Sequence, residues 1–209
     1  KEGALRIRHC GGGNACQGIA SSGFILMDRL NELAHELADK YPIPDRSAGK
    51  HQRFSVSVSF CPNACSRPQI ADVGVIGAVS VGLKEDLCGG CGACEAACRE
   101  RAMELDGRSK PLINDRCLYC GECLRACPFD ALFPAATGYR VLIGGKLGRH
   151  PRLGIELPGF RSESEVIDIV ASAYRVFMSY DGGIRFGHIL NDHGRSRLAK
   201  NKKTGMNGM

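Results

Sequence analysis

The twelve cysteines are the feature that most limits what this chain can fold into. Eight of them form two copies of the pattern C-x2-C-x2-C-x3-C, and the other four form a C-x5-C pair and a C-x3-C pair. In chain order they are Cys10 and Cys16, then Cys61 and Cys65, then Cys88, Cys91, Cys94 and Cys98, then Cys117, Cys120, Cys123 and Cys127. Because a cubane [4Fe–4S] cluster takes four thiolates, twelve cysteines suffice for three clusters. The pattern therefore predicts redox chemistry.

Two other uses of cysteine compete with this interpretation. A disulfide framework is typical of small secreted domains, but here the spacings are those of metal ligands and long cysteine-free segments separate the groups. Zinc also binds C-x2-C pairs. The eight-cysteine repeat, followed directly by Pro128, favours iron–sulfur clusters over zinc. A reducing cytoplasm is the expected setting for so many thiolates.

Length and composition narrow the class of protein further. A chain of 209 residues with 44% hydrophobic content can form one core of moderate size and a small appended module. An apolar run of about twenty residues is absent, so no membrane span is expected. The net charge of +6 would favour nucleic acid, but twelve thiolates bound to clusters bring the protein close to neutral, and no nucleic-acid partner is expected. Since the chain starts at Lys1 without a methionine, we expect a piece of a longer protein.

Apolar periodicity predicts strands and helices on both sides of the cysteine repeat, and hence an α+β fold. The strongest strand pattern covers residues 54–60, where Ser55, Ser57 and Ser59 alternate with apolar residues. Shorter strands are predicted at residues 73–76 and 139–143, and a helix is predicted to begin after Cys65.

Two longer helices and one short helix complete the prediction. Their buried stripes are Leu26, Leu30, Leu33 and Leu37 in the first, and Val166, Val170, Ala173 and Phe177 in the second. The first runs from after Cys16 to about Asp39, and the second starts at a capping box of Ser162 and Glu165. A short helix is expected over residues 184–192. Residues 1–83 and 135–194 are predicted to form one discontinuous domain, residues 84–134 a cysteine module, and residues 195–209 a disordered basic tail.

The cysteine module resembles the bacterial-type 2[4Fe–4S] ferredoxins over about 50 residues. In such ferredoxins the fourth cysteine of each run binds the other cluster. The resemblance therefore implies a first cluster held by Cys88, Cys91, Cys94 and Cys127. It implies a second cluster held by Cys117, Cys120, Cys123 and Cys98.

The outer cysteines carry a second resemblance. The segment S-F-C-P-N-A-C at residues 59–65, with A-D-V-G-V-I-G at 71–77, G-Y-R at 138–140 and I-G-G-K-L-G-R-H-P at 143–151, is similar to the sulfite and nitrite reductases that join a [4Fe–4S] cluster to siroheme. A ferredoxin module inserted after the C-x3-C pair is typical of anaerobic and dissimilatory members of that family. The resemblance implies a siroheme–cluster domain interrupted by the ferredoxin module.

The family resemblance also implies roles for individual residues. Cys10, Cys16, Cys61 and Cys65 would hold the third cluster, and Cys65 would bridge it to siroheme. Asn63, Lys146 and Arg149 would contact the siroheme, whose many carboxylates favour cations and hydrogen-bond donors. For Lys146 and Arg149, a solvated surface charge is the competing interpretation.

Arg53 is the predicted catalytic cation. By resemblance it corresponds to one of two lysines that dissimilatory members of the family carry on the strand before the C-x3-C pair, whereas Ser55 stands where the other would be. We expect the serine face of this strand to leave space for a flat macrocycle, with Arg53 turned towards it. The competing interpretation is an ordinary surface arginine.

Two functions from different classes follow. The first is an oxidoreductase of the sulfite or nitrite reductase type, which reduces a small oxyanion, receives electrons from a redox partner protein or subunit, and forms an oligomer. The second is a non-catalytic electron carrier on the same scaffold, without a working siroheme or substrate pocket. Only nine residues precede Cys10, so a partner chain or upstream sequence would have to complete the pocket of an enzyme.

Overall fold

The computed structural model describes residues 5–11, 23–41, 53–180 and 185–190. The strands are β1 (Leu5–His9), β2 (Phe54–Ser59), β3 (Val73–Leu83), β4 (Met103–Leu105), β5 (Pro111–Ile113), β6 (Leu132–Ile143) and β7 (Ile155–Glu156). The helices are α1 (Gly23–Lys40), α2 (Ala93–Ala97), α3 (Glu122–Ala126), α4 (Glu163–Met178) and α5 (Phe186–Ile189). Within these residues, no helix is both long enough and apolar enough to span a bilayer.

One five-stranded sheet, in the order β1-β2-β3-β6-β7, organises the molecule. The first three strands are parallel, and β6 and β7 are antiparallel to their neighbours. The β3–β6 ladder starts at Val73 opposite Ile143 and continues to Leu83 opposite Leu132, with one irregularity after Ser80. The cysteine module, with its own β4–β5 ribbon, leaves and re-enters the sheet at the far end of this ladder.

The hydrophobic core fills one face of the sheet, where α1 and α4 pack against it. Both predicted leucine and valine stripes are buried there, and the predicted capping box of Ser162 and Glu165 starts α4. The side chain of Phe54 contacts the rings of Tyr174, Phe177 and Phe186. The strand and helix periodicities therefore give the buried face correctly.

Several predicted boundaries differ from the structure. The strands at residues 73–76 and 139–143 are parts of longer strands, because β3 and β6 continue as a ribbon beyond the apolar core. The helix expected after Cys65 is only a single 3-10 turn at Pro68–Ile70, since Arg67 is left-handed and Ala71 is already extended. Residues 12–22 before α1, and residues 184 and 191–192 of the predicted last helix, lie outside the described residues. The predicted tail at residues 195–209 lies outside them as well.

The face of β2 that carries the serines is buried, whereas the sequence predicts an open face there. Ser57 and Ser59 are 0% and 1% exposed, because residues 60–72 cross over the serine face on their way from β2 to β3. Ser57 Oγ donates to the carbonyl of Ser66, and the hydroxyls of Ser59 and Ser66 lie 2.7 Å apart. The expectation that this face leaves space for a macrocycle is therefore wrong. The serines instead anchor the segment that carries the C-x3-C pair.

Candidate metal centres

The first group of cysteines surrounds one pocket of the cysteine module. Cys88, Cys91, Cys94 and Cys127 all line this pocket, together with Gly90, Gly92, Phe129 and Leu132. Gly90 and Gly92 have positive φ angles of 68° and 75°, a conformation that lets the backbone turn tightly between the thiols. The structure thus brings three cysteines of the first run together with the last cysteine of the second.

The environment of these thiols is partly apolar and rich in backbone donors. Burial raises the pKa of the Cys94 thiol, and the negative charges of Cys127 and Cys88 raise it further. Desolvation acts against the ionised form of Cys127 as well. Its pKa is nevertheless lowered, because backbone N–H groups of Leu132, Phe129 and Ala131 donate to the sulfur. Such donors stabilise a thiolate, the form that binds metal.

The remaining cysteines of the module form a second group. Cys117 interacts electrostatically with Cys120 and Cys98, and Cys123 interacts with Cys120 and Cys117. Burial, followed by the charges of its neighbours, raises the pKa of Cys123 to about 11. Bound iron would offset this cost of ionisation, because its positive charge stabilises the thiolate that metal binding requires. Cys98 therefore lies with the second run rather than with its own.

The two runs are built alike. Gly92 and Gly121, both left-handed, precede α2 and α3, and Cys98 and Cys127 follow these helices in extended conformation. The helices pack against each other, so the cysteine after each helix can reach across to the other run. This pseudo-symmetry explains why the fourth cysteine of each run lies with the first three cysteines of the other run.

Two of the outer cysteines, Cys10 and Cys61, follow the carboxyl ends of β1 and β2. These strands are parallel neighbours, so Cys10 after β1 and Cys61 after β2 emerge at the same edge of the sheet. The backbone N–H of Phe60 lies 3.5 Å from Cys10 Sγ. Cys65 is exposed, and Asn63 Nδ2 donates to its sulfur at 3.0 Å. Cys16, the expected fourth ligand, lies outside the described residues.

Tyr119 attaches the cysteine module to the sheet. Its carbonyl accepts a hydrogen bond of 3.0 Å from Val79 of β3, and its ring packs edge-on against Phe160, with centroids 5.1 Å apart. The Tyr119 N–H lies 3.4 Å from Cys117 Sγ. Tyr119 therefore holds the second group of cysteines against the sheet.

The predicted siroheme residues occupy different positions. Asn63 contacts Cys65 directly. Lys146 Nζ lies 2.9 Å from His188 Nε2. The turn that contains Lys146 packs on the segment after Cys65, because a Cβ at the neighbouring Gly145 would meet the carbonyls of Gln69 and Ala71. Arg149 is exposed. Contacts of these residues with siroheme stay a prediction.

Arg53 precedes β2 and is exposed, whereas Cys61 follows the same strand. At about 3.3 Å per residue, roughly 20 Å separate the two ends. The structure does not bring Arg53 next to the C-x3-C pair, and the serine face that was to orient it is covered. Its catalytic role stays a prediction without a supporting contact.

Two further polar residues with defined partners were not predicted. Arg140, on β6 in a predicted strand, forms a bidentate ion pair with Glu156 of β7. Asp72 accepts hydrogen bonds from the backbone and hydroxyl of Ser55, and burial raises its pKa. The sequence did contain a signal for Arg140, because it is a charged residue within an otherwise apolar strand pattern. For Asp72 no such signal exists, because its partner lies across the crossover.

Comparison with known proteins identifies the family. The chain belongs to the family described as nitrite and sulphite reductase 4Fe-4S domain, whose model matches residues 13–206. The resemblance inferred from the outer cysteines is thereby confirmed. Membership supports iron–sulfur clusters, rather than disulfides or zinc, as the use of the cysteines.

Individual relatives agree with this assignment. The chain is 30% identical over 171 residues to the coenzyme F420-dependent sulfite reductase of Methanocaldococcus jannaschii, covering 82% of this chain and 26% of that protein. It is 27% identical over 205 residues to one subunit of the anaerobic sulfite reductase of Salmonella typhimurium, covering 94% and 57% respectively. The chain thus spans between about a quarter and just over half of these relatives.

A solved structure shares the fold. The crystal structure of dissimilatory sulfite reductase I superimposes with a TM-score of 0.64 at 19% identity, covering 94% of this chain and 51% of the other. The predicted α+β fold of the sulfite reductase type is therefore confirmed.

Proposed function

We propose that this chain forms the iron–sulfur portion of a sulfite reductase and carries three [4Fe–4S] clusters. The observation that carries the proposal is the meeting of Cys10 with the C-x3-C segment at one edge of the sheet, beside a module whose eight cysteines fall into two groups of four. Cys16 would complete the outer set. Thiolate ligation on this scale requires a reducing compartment, which we infer to be the cytoplasm.

The thiol groups suit clusters in their chemistry. The pocket of Cys88 and Cys127 is largely apolar, and three backbone N–H groups converge on Cys127 Sγ. Similar N–H donors reach Cys98 from Ala102 and Cys117 from Tyr119. Hydrogen bonds to cluster sulfurs, burial and net charge are the means by which a protein sets a cluster potential.

The arrangement of the groups supports a direction for electrons. The second group lies against the sheet through Tyr119, whereas the first group faces Phe129, half of which is exposed. Ala64, next to Cys65, packs on Ile76, whose partner in the ladder is Arg140. We infer that a redox partner delivers electrons to the first group, and that they pass through the second group to the outer set.

Cys65 and its neighbours are the proposed siroheme contact. Siroheme supplies an iron at which a small oxyanion such as sulfite is reduced. The exposed Cys65 thiol, fixed by Asn63, would face this group, while Lys146 and Arg149 would balance its carboxylates. Because the chain covers only part of its relatives, a partner protein or further sequence would complete the substrate pocket.

Absorption spectroscopy tests the siroheme assignment. We expect the anaerobically prepared chain to develop a Soret band when siroheme is added, and this band to shift with sulfite. Cys65→Ser should abolish binding, whereas Cys91→Ser, which removes another exposed thiol from the first group, should not. A chain with three clusters but no Soret band would instead be an electron carrier.

A further inference from the structure

Arg140 of β6 is a charged side chain of the sheet that lies beside the second cysteine group. Its guanidinium carbon is 5.9 Å from the centre of the Tyr119 ring, and the Tyr119 N–H points at Cys117 Sγ. Arg140 and Cys117 also interact electrostatically. A fixed positive charge is therefore held beside the site proposed for the second cluster.

The position of this charge is unusually well defined. Arg140 Nε and one terminal nitrogen donate to the two carboxylate oxygens of Glu156 at 2.7 and 2.6 Å. The pair links adjacent strands, and only 19% of the Arg140 side chain is exposed. A bidentate pair orients the guanidinium plane, and partial burial limits screening by salt. The hydrogen bonds to Glu156 raise the pKa of Arg140, so the guanidinium stays charged.

We propose that Arg140, oriented by Glu156, raises the reduction potential of the second cluster. Reduction adds one negative charge to a cluster, and a nearby cation stabilises the reduced form. A cation also lies near the first group, where Lys110 Nζ donates to the backbone carbonyl of Cys88 at 3.0 Å. The effect of Arg140 is therefore on the second cluster itself, and its charge makes electron transfer from the first cluster to the second more favourable than it would be without Arg140.

This role rests on the proposed function, because it requires clusters in the module. Arg140 is a positioning residue for charge, not a ligand. Replacing Arg140 should therefore change the reduction potential of the second cluster. A purely structural role would instead change the stability of the protein or the number of clusters that it binds.

An EPR-monitored redox titration of the complete chain, with all clusters reconstituted, tests the proposal. Cys120→Ser identifies the signal of the second cluster. Arg140→Gln should shift that signal to lower potential by about a tenfold change in the ratio of reduced to oxidised cluster, or about 59 mV for a one-electron couple. The signal of the first cluster should move much less.

Two further variants separate charge from structure. Glu156→Gln leaves the cation without its counter-charge and should shift the second cluster in the opposite direction. Arg175→Gln makes the same charge change on an exposed position of α4, across the sheet, and should shift neither signal. Unchanged potentials in both Arg140→Gln and Glu156→Gln, or shifts in the same direction, would overturn the role of Arg140. A wild-type chain that binds no clusters would instead overturn the proposed function.

Discussion

Cys98 and Cys127 decide which residues share a cluster. Each follows a five-residue helix that begins after a left-handed glycine, so the two positions are equivalent in the two runs. Cys127 nevertheless lines the pocket of Cys88, Cys91 and Cys94, and Cys98 interacts with Cys117. The residues support crossed ligation, which a matched set of variants can test.

Replacing the fourth cysteine of one run with serine should have the same effect as replacing a cysteine of the other run. We predict that Cys127→Ser removes the same EPR signal as Cys91→Ser, because both would remove a ligand of the first cluster. Cys98→Ser should remove the same signal as Cys120→Ser. If Cys98→Ser resembled Cys91→Ser instead, each run would bind its own cluster and the crossed arrangement would be wrong.

Asp72 gives the protein a predictable pH dependence. Burial raises its pKa above the ordinary value of 3.8, so the folded state binds its proton more tightly than the unfolded state. The stability that this provides is complete below the ordinary pKa and is lost as pH rises through the raised pKa.

Asp72→Asn isolates this effect, since asparagine does not titrate. We predict that the unfolding free energy of the wild type, minus that of Asp72→Asn, falls as pH rises above the ordinary carboxyl pKa of 3.8. Urea unfolding followed by circular dichroism measures both proteins, and contributions from the clusters cancel in the difference. A difference that rises with pH would mean that the hydrogen bonds from Ser55 outweigh desolvation.

At the scale of elements, the crossover from β2 to β3 determines where the C-x3-C pair lies. Ser66 accepts from Ser57 and donates to the carbonyl of Val58, which fixes the segment on the sheet. Further along, the segment passes so close to Gly74 that a Cβ there would lie 2.1 Å from the carbonyl oxygen of Pro68. Glycine at this position is therefore needed for the crossover.

We predict that Gly74→Ala displaces the crossover, costs about 1–3 kcal/mol of stability and weakens the outer cluster selectively. Gly82→Ala, on the same strand, is the control. There the added methyl would meet only the ring of Phe133, an exposed side chain that can rotate away. Cluster content by iron analysis and unfolding by urea measure both effects. Equal losses of the outer cluster in the two variants would contradict the proposed role of the crossover.

The elements also show how far the sequence could predict the fold. The alternation in β2 and the stripes of α1 and α4 were sufficient, because one face of each element is packed in the core. The burial of Ser57 and Ser59 was not predictable, since it depends on a crossover whose path no local pattern records. The full length of β3 and β6 was not predicted. Val79, Val81 and Leu83 alternate with smaller residues in the outer half of β3, but Pro134 and Gly138 interrupt any such pattern in the outer half of β6, its partner.

At the scale of the whole molecule, the cysteine module is joined to the sheet in a way that makes it separable. Leu83 and Leu132 lie directly opposite each other where the β3–β6 ladder ends. A two-residue turn can connect residues in this relation. The domain division inferred from the cysteine spacing, with the module near residues 84–134, thus has a geometric basis that can be tested.

Replacing residues 84–131 with Asn-Gly should leave the sheet folded. We predict that the shortened protein retains the outer cluster and loses about two thirds of its iron, in proportion to the clusters removed. Some loss of stability is expected, because Val81, Leu83 and Leu132 pack against the module. Circular dichroism and iron analysis provide the readouts. Loss of cooperative unfolding would show that sheet and module form a single folding unit.

Some features of the candidate site could be predicted from the sequence, whereas others appear only in the structure. Cysteine spacing predicted iron–sulfur clusters as the use of the cysteines, and family resemblance supplied the ligand groups, which stay a prediction. Arg53 was placed by resemblance, and the structure gives it no contact with the cysteines, because strand length separates residues that are near in sequence. Arg140 was missed because its partner Glu156 lies on another strand.

The central claim is that the chain binds three [4Fe–4S] clusters, and the most direct test is its content of iron and acid-labile sulfide. For the 209-residue chain, prepared without oxygen, we predict about twelve iron atoms and about twelve sulfides per chain. About eight of each would mean that Cys10, Cys16, Cys61 and Cys65 do not form a cluster site. Zinc without sulfide would contradict the claim altogether.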